Sequence, residues 1–200
     1  MIGITMLALA AGISLLAGWR LYLCILVVGL NMQTGWLDFP SYVYRMGIVA
    51  DPWVLGAAVI LLVAEFAADK IRWLDSLWDA VHTVIRPLGA ALLALAIADP
   101  PAPLWQVGIF LMGGVLGLTS HAAKAAMRAI ANAAARTTNT LLLSLAEDIG
   151  VGLLLAIALL HPYGACCVAA LMVVLDSTLL LAARSRIRRL LSGEDGLEQS

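Results

Sequence analysis

Several apolar stretches of membrane-spanning length in this chain carry charged residues inside them, and this pairing limits the fold more than any other feature. Glu65, Asp69 and Lys70 end one apolar run, and His121, Lys124 and Arg128 end another. Glu147 and Asp148 interrupt a third, and Asp176 a fourth. Ionisable groups are costly in a bilayer, so they face the interior of a helical bundle, pair with one another or line a polar path. The pattern therefore predicts an all-α membrane protein with a polar interior.

Composition supports that class. Hydrophobic residues make up 62% of the 200 and charged residues only 12%, where a soluble domain carries about a quarter charged residues. The mean hydropathy is +0.97. A net charge of −1, with no basic stripe interleaved with aromatics, gives no nucleic-acid signal. Cys24, Cys166 and Cys167 lie in apolar runs and form neither a disulfide framework nor a spaced metal-ligand set. They read as small buried apolar residues. The start of the chain lacks the basic region of a secretory signal, and its apolar run from Ile2 to Leu30 is too long for one. That run is expected to remain as the first span.

A span needs about 20 mostly apolar residues. Six candidates follow, at 3–29, 53–69, 84–99, 104–123, 140–160 and 163–183. The third begins at Arg86-Pro87, a proline placement tolerated in a first helical turn. One polytopic domain, 1–183, is expected, with a basic then acidic tail over 184–200. With both termini cytoplasmic, the inside segments hold Lys70, Arg72, Arg86, Lys124, Arg128, Arg136, Arg184, Arg186, Arg188 and Arg189, leaving only Arg20 and Arg45 elsewhere. This asymmetry predicts an inner-membrane protein with that orientation. Trp36, Trp53 and Trp105 would mark the outer interface, and Trp73 and Trp78 the inner one. Trp19 fits neither belt and is expected to pack beside Arg20. Residues 31–51 form the one long external connection, read either as an interfacial or re-entrant piece or as an ordered loop on the membrane.

At roughly 100° per residue, Glu65, Asp69, Arg72, Asp75, Asp79, His82 and Arg86 share an arc of about 140°. His121, Lys124, Arg128, Asn132 and Asn139 share one of about 80°. The two stripes would complement each other across a bundle interior. Twelve residues from Trp53 to Glu65 rise roughly 18 Å, and eight from Asn139 to Glu147 roughly 12 Å. Both glutamates thus fall inside a hydrocarbon core of about 30 Å. Arg72, Asp75, Asp79 and Arg86 read more simply as an interfacial ion-pair network that fixes helix register. Asp176 stands alone on the sixth span, with Arg20 or Lys124 as its expected partner.

The stretches 17–22 (AGWRLY) and 121–126 (HAAKAA) occupy similar places in the two halves. Three spans per half, over 1–99 and 104–183, would form an inverted repeat of the kind transporters use to build a midplane site. Gly113 and Gly117 form a small-xxx-small pair that permits close helix approach, within the chain or in a homo-oligomer.

The segments 12–20 (GISLLAGWR), 65–79 (EFAADKIRWLDSLWD), 81–87 (VHTVIRP), 121–124 (HAAK) and 144–148 (SLAED) resemble the bacterial membrane family catalogued as domain of unknown function 4126. The resemblance covers nearly the whole chain and implies a membrane-embedded helical fold, with no established activity. The segment from Glu65 to Lys70 also resembles the acidic motif of small cation/proton exchangers, with one more residue between the acids. Asp75 and Asp79 resemble the end of the metal-binding motif of membrane phosphatidyl-alcohol transferases, in which such pairs hold Mg²⁺ against a diphosphate.

Three readings follow from these residues. The first is a transporter or channel-like protein for a small ion or solute. Glu65, Asp69, Glu147 and Asp148 form its polar site, and Arg20, Lys70, His121, Lys124 and Arg128 act as countercharges. The second is a Mg²⁺-dependent membrane transferase using Asp75 and Asp79, with Lys124 and Arg128 holding phosphate. The third is a scaffold whose charges lock the helices. No organic cofactor is implied, and a bound cation is the one small ligand the carboxylates call for. A reporter fused at Ser200 is expected to lie in the cytoplasm; a reporter found on the outer side would overturn the orientation.

Overall fold

A computed structural model describes residues 3–41, 43–68, 71–134 and 140–192. Among them it contains six α-helices and one short 3₁₀ helix, and no strands. The helices are α1 (Ile4–Thr34), α2 (Pro52–Ala68), α3 (Arg72–Ala98), α4 (Pro103–Ala134), α5 (Thr140–Leu160) and α6 (Pro162–Ser192). Four segments are long and apolar enough to cross a membrane: Ile4–Thr34, Leu77–Ala98, Pro103–Arg128 and Tyr163–Arg189. The apolar helix α2 is shorter, at 17 residues.

The centre of the bundle is α1, which packs against each of the other five helices. Its sequence is apolar on every side, the pattern of a helix enclosed by others. The most apolar window of α1 is 78% buried, against 22–39% for the other three spanning segments. The outer helices turn apolar side chains outward. Val59 and Ile60 of α2, Val84 and Leu92 of α3, Leu111 and Val115 of α4, and Leu153 of α5 are all exposed. Such a continuous apolar exterior suits lipid, and would be a liability in water.

One expectation needs correction. The third span does not begin at Arg86-Pro87. The helix starts at Arg72 and carries Pro87 in its interior. Flanking packing outweighs the lost backbone bond, because Ala90, Ala91 and Ala94 bury completely against neighbouring helices. The segment after α1, expected as an interfacial or re-entrant piece or as an ordered loop, contains a short helix. It holds the 3₁₀ helix Val43–Ala50, with Val43, Met46 and Val49 buried on the core together with Phe39. Asp99 ends α3 in a left-handed conformation (φ 39°) that short polar side chains tolerate, and its N–H bonds to the Leu95 carbonyl at 2.9 Å. Trp36, Trp53 and Trp105 are exposed at the ends of α1, α2 and α4.

Small residues set the helix spacing. A Cβ at Gly18 would lie 2.5 Å from the Gly117 carbonyl oxygen, and one at Gly117 would lie 2.5 Å from Ala90 Cβ. The backbones of α1, α3 and α4 thus meet where no larger residue fits, as expected where van der Waals contact drives helix association. Gly18→Ala and Gly117→Ala are each expected to destabilise the protein in detergent by about 1–3 kcal/mol, the usual range for overpacking. Gly108→Ala, with nothing within 4 Å, is expected to leave the melting temperature unchanged or raised. Equal melting for all three would contradict the close crossing.

Candidate functional site: a buried ionic core

The polar interior is organised by a break in the central helix. Arg20 leaves helical geometry in the middle of α1, with φ −143° and ψ 76°. The carbonyl just before the break, that of Trp19, accepts a hydrogen bond from Lys124 Nζ of α4 at 2.8 Å. Irregular backbone at membrane depth requires such a partner within the protein. The break also directs the Arg20 guanidinium, itself completely buried, toward α2 and α5.

Glu65, near the end of α2, receives three cations on one oxygen. Arg20 Nη1 lies 3.0 Å from Oε1, Arg86 Nη2 2.5 Å and Lys124 Nζ 3.3 Å. These cations come from α1, α3 and α4, and all four side chains are sealed from solvent. A second carboxylate, Glu147 of α5, is held through Oε2 by Arg20 at 3.1 Å, Arg128 at 3.1 Å and Lys124 at 3.5 Å. Its other oxygen, Oε1, has no hydrogen-bond partner among the described residues. Arg20 Nη2 also donates to Ser144 Oγ at 2.7 Å, and Arg20 Nε lies 2.8 Å from Asp148 Oδ1.

These contacts join into one chain. Arg86 Nη1 lies 3.9 Å from Asp79 Oδ1, while Arg86 Nη2 holds Glu65. Arg20 then connects Glu65 to Asp148. Asp79, Arg86, Glu65, Arg20 and Asp148 thus run in sequence through the bundle. The two end carboxylates are partly exposed, at 20% and 24%, and the centre is at 0%. Four cations (Arg20, Arg86, Lys124 and Arg128) face four carboxylates (Glu65, Asp79, Glu147 and Asp148), so the described network is charge-balanced.

Two histidines border it. His121 Nδ1 lies 2.8 Å from Arg86 Nη1. A guanidinium only donates, so this nitrogen accepts and the proton sits on Nε2. Nε2 in turn donates to the Asp79 carbonyl at 3.2 Å. His121 therefore supports Arg86, and among the described residues its ring nitrogens contact Arg86, the Thr83 hydroxyl and the Asp79 carbonyl. His82 Nδ1 donates to the Trp78 carbonyl at 2.7 Å, and its Nε2 accepts from the Tyr22 hydroxyl at 2.8 Å. The His82 ring stacks on Trp78, with centroids 4.5 Å apart.

The structure thus gathers Glu65, Glu147, Asp148, Arg20, Lys124 and Arg128 into one core. Asp69 and Lys70 lie outside the described residues, as does the side chain of Asp75. Asp176 stands apart from the core cations. Its Oδ1 accepts from the Trp19 indole at 3.0 Å, in place of the expected Arg20 or Lys124. Arg86 is the main residue whose role the sequence concealed. It read as interfacial and is completely buried at the centre. The single helical stripe expected from Glu65 to Arg86 is divided between α2 and α3, and the available signal was that Arg86 shares a face of α3 with Asp79, seven residues earlier. Among the described residues, no group of three or more His, Cys, Asp or Glu side chains is placed to hold a metal ion.

Fold and site together define an all-helical, membrane-embedded class of protein built around an internal ion-pair network. The chain belongs to the family described as domain of unknown function (DUF4126), whose model matches residues 7–181. No curated protein and no solved structure matches it.

Removing one member of a buried ionic group leaves its partners uncompensated, at about 3–5 kcal/mol. Glu65→Ala is expected to destabilise the protein by that amount. Asp148→Ala, whose carboxylate is partly exposed, is expected to cost clearly less. Thermal melts in detergent that rank the two variants equally would mean that Glu65 is not the centre of the network.

Proposed function

We propose that this protein is a six-span transporter or channel-like protein of the inner membrane, with both termini cytoplasmic, that moves a small ion by exchanging it against its internal ion pairs. The observation that carries the reading is the continuous chain from Asp79 through Arg86, Glu65 and Arg20 to Asp148, with a partly exposed carboxylate at each end and a sealed centre. The break in α1 at Arg20 supports the same reading, since transporters build midplane sites on discontinuous helices. So does the meeting of Glu65 from the first half with Glu147 from the second on a shared Arg20 and Lys124. That is the arrangement an inverted repeat of three spans each would produce.

The contacts on the two glutamates favour a proton over a metal ion. Oε1 of Glu65 and Oε2 of Glu147 already carry cations between 2.5 and 3.5 Å. A metal ion would have to displace these cations to gain a coordination shell, whereas a proton needs none. A proton passing between carboxylates as ion pairs separate and re-form is the economical case.

One observation favours the scaffold reading instead, namely the level charge balance of the core among the described residues. The transferase reading draws less support, because Asp79 is turned toward Arg86. Flux decides among these readings. Proteoliposomes containing the protein are expected to dissipate an imposed pH gradient. Asp79→Asn and Asp148→Asn are each expected to bring the flux to the protein-free background while staying folded, with a smaller loss of melting temperature than Glu65→Ala. Unchanged flux in folded variants, or no proton or cation flux from the parent protein, would replace this reading with the scaffold.

A further inference from the structure

The C-terminal part of α6 carries a feature that transport does not explain. The helix runs without interruption for 31 residues from Pro162 to Ser192. At 1.5 Å per residue it is roughly 46 Å long, well beyond a hydrocarbon core of about 30 Å. Arg184, Arg186, Arg188 and Arg189 fall in this excess, and all four are exposed.

Depth sets what they meet. Measured from Pro162, Arg184 lies roughly 33 Å along the axis and Arg189 roughly 40 Å. With the first turn of α6 at one edge of the hydrocarbon, the opposite headgroup layer runs from about 30 Å to about 35–38 Å, so Arg184 lies within it and Arg189 at its outer edge, from which a long side chain reaches back to the phosphates. A typical tilt of about 20° shortens these heights by only about 6%. Relative to Arg184, the helical angles are about 40° for Arg188, 140° for Arg189 and 200° for Arg186. The four guanidinium groups therefore spread around the helix as a collar. Leu181, 63% exposed, and Ile187, 56% exposed, lie just before the collar and within it, where acyl chains end and headgroups begin.

We propose that this collar is a binding site for the phosphate groups of anionic phospholipids in the surrounding leaflet. Guanidinium groups bind phosphate through paired hydrogen bonds as well as charge. A cluster of four at the end of a spanning helix is the arrangement that selects anionic over zwitterionic lipid. The occupant is lipid in the same membrane, since the collar continues the apolar surface of α6 into the headgroup layer. The inference requires α6 to span the bilayer and is independent of any transport activity.

Native mass spectrometry of the purified full chain, exchanged into micelles containing phosphatidylglycerol or phosphatidylcholine, tests it. The parent protein is expected to retain phosphatidylglycerol in preference to phosphatidylcholine. The variant with Arg184→Gln, Arg186→Gln, Arg188→Gln and Arg189→Gln is expected to lose that preference, at roughly fivefold in affinity per arginine removed. Equal retention of the two lipids by the parent, or an unchanged preference in a folded variant, would overturn the proposal. Should the fourfold variant fail to fold, the parent alone decides. Its melting temperature is expected to rise in phosphatidylglycerol nanodiscs over phosphatidylcholine ones, with the difference shrinking at high salt. No difference would again overturn it.

Discussion

One carboxylate organises this molecule. Glu65 is sealed from water and holds cations from three other helices within 3.3 Å of a single oxygen. A lone carboxylate in low dielectric would be strongly unfavourable, and so would each of the cations alone. Together they are tolerable only while all are present and closely spaced. Every helix that contributes a member is therefore tied to the position of the rest. The break at Arg20 follows from the same requirement, because it turns the guanidinium toward Glu65 and exposes a carbonyl that Lys124 then covers.

Close helix packing makes the charge geometry attainable. Between helices in lipid there is little hydrophobic driving force, so small residues and polar contacts hold the bundle together. Gly18, two residues before Arg20, lets α1 meet α4 at Gly117, and Gly117 in turn admits Ala90 of α3. Lys124 lies two helical turns beyond Gly117 on α4, on the side that reaches the α1 break. The glycine contacts and the ionic contacts are thus consecutive layers of one interface. A side chain added to the first layer would separate the partners in the second.

Much of this was legible in the sequence, for identifiable reasons. The spanning character came from apolar runs, and burial of the acids from their depth within those runs. Two features resisted sequence reading. Arg86 next to Pro87 carries the local signature of a helix start, and only packing along the whole of Arg72–Ala98 shows it to be interior. The Trp19–Asp176 and Tyr22–His82 bonds join residues 157 and 60 positions apart. Periodicity on a single helix carries no information about such pairs. Asp176 looked like a partner for a cation because charge is visible in a sequence, whereas an indole N–H on the facing helix is not.

The central claim is that Glu65 and Lys124 belong to one energetic unit, and a double-mutant cycle addresses it most directly. Glu65→Gln, Lys124→Met and the double variant would be compared by equilibrium unfolding in the same detergent. The account predicts that the double variant loses much less stability than the two single losses combined, because each single change leaves an unmatched buried charge that the second removes. A coupling above about 1 kcal/mol would support it. Losses that add to within about 0.5 kcal/mol would show the two residues to be independent and contradict it.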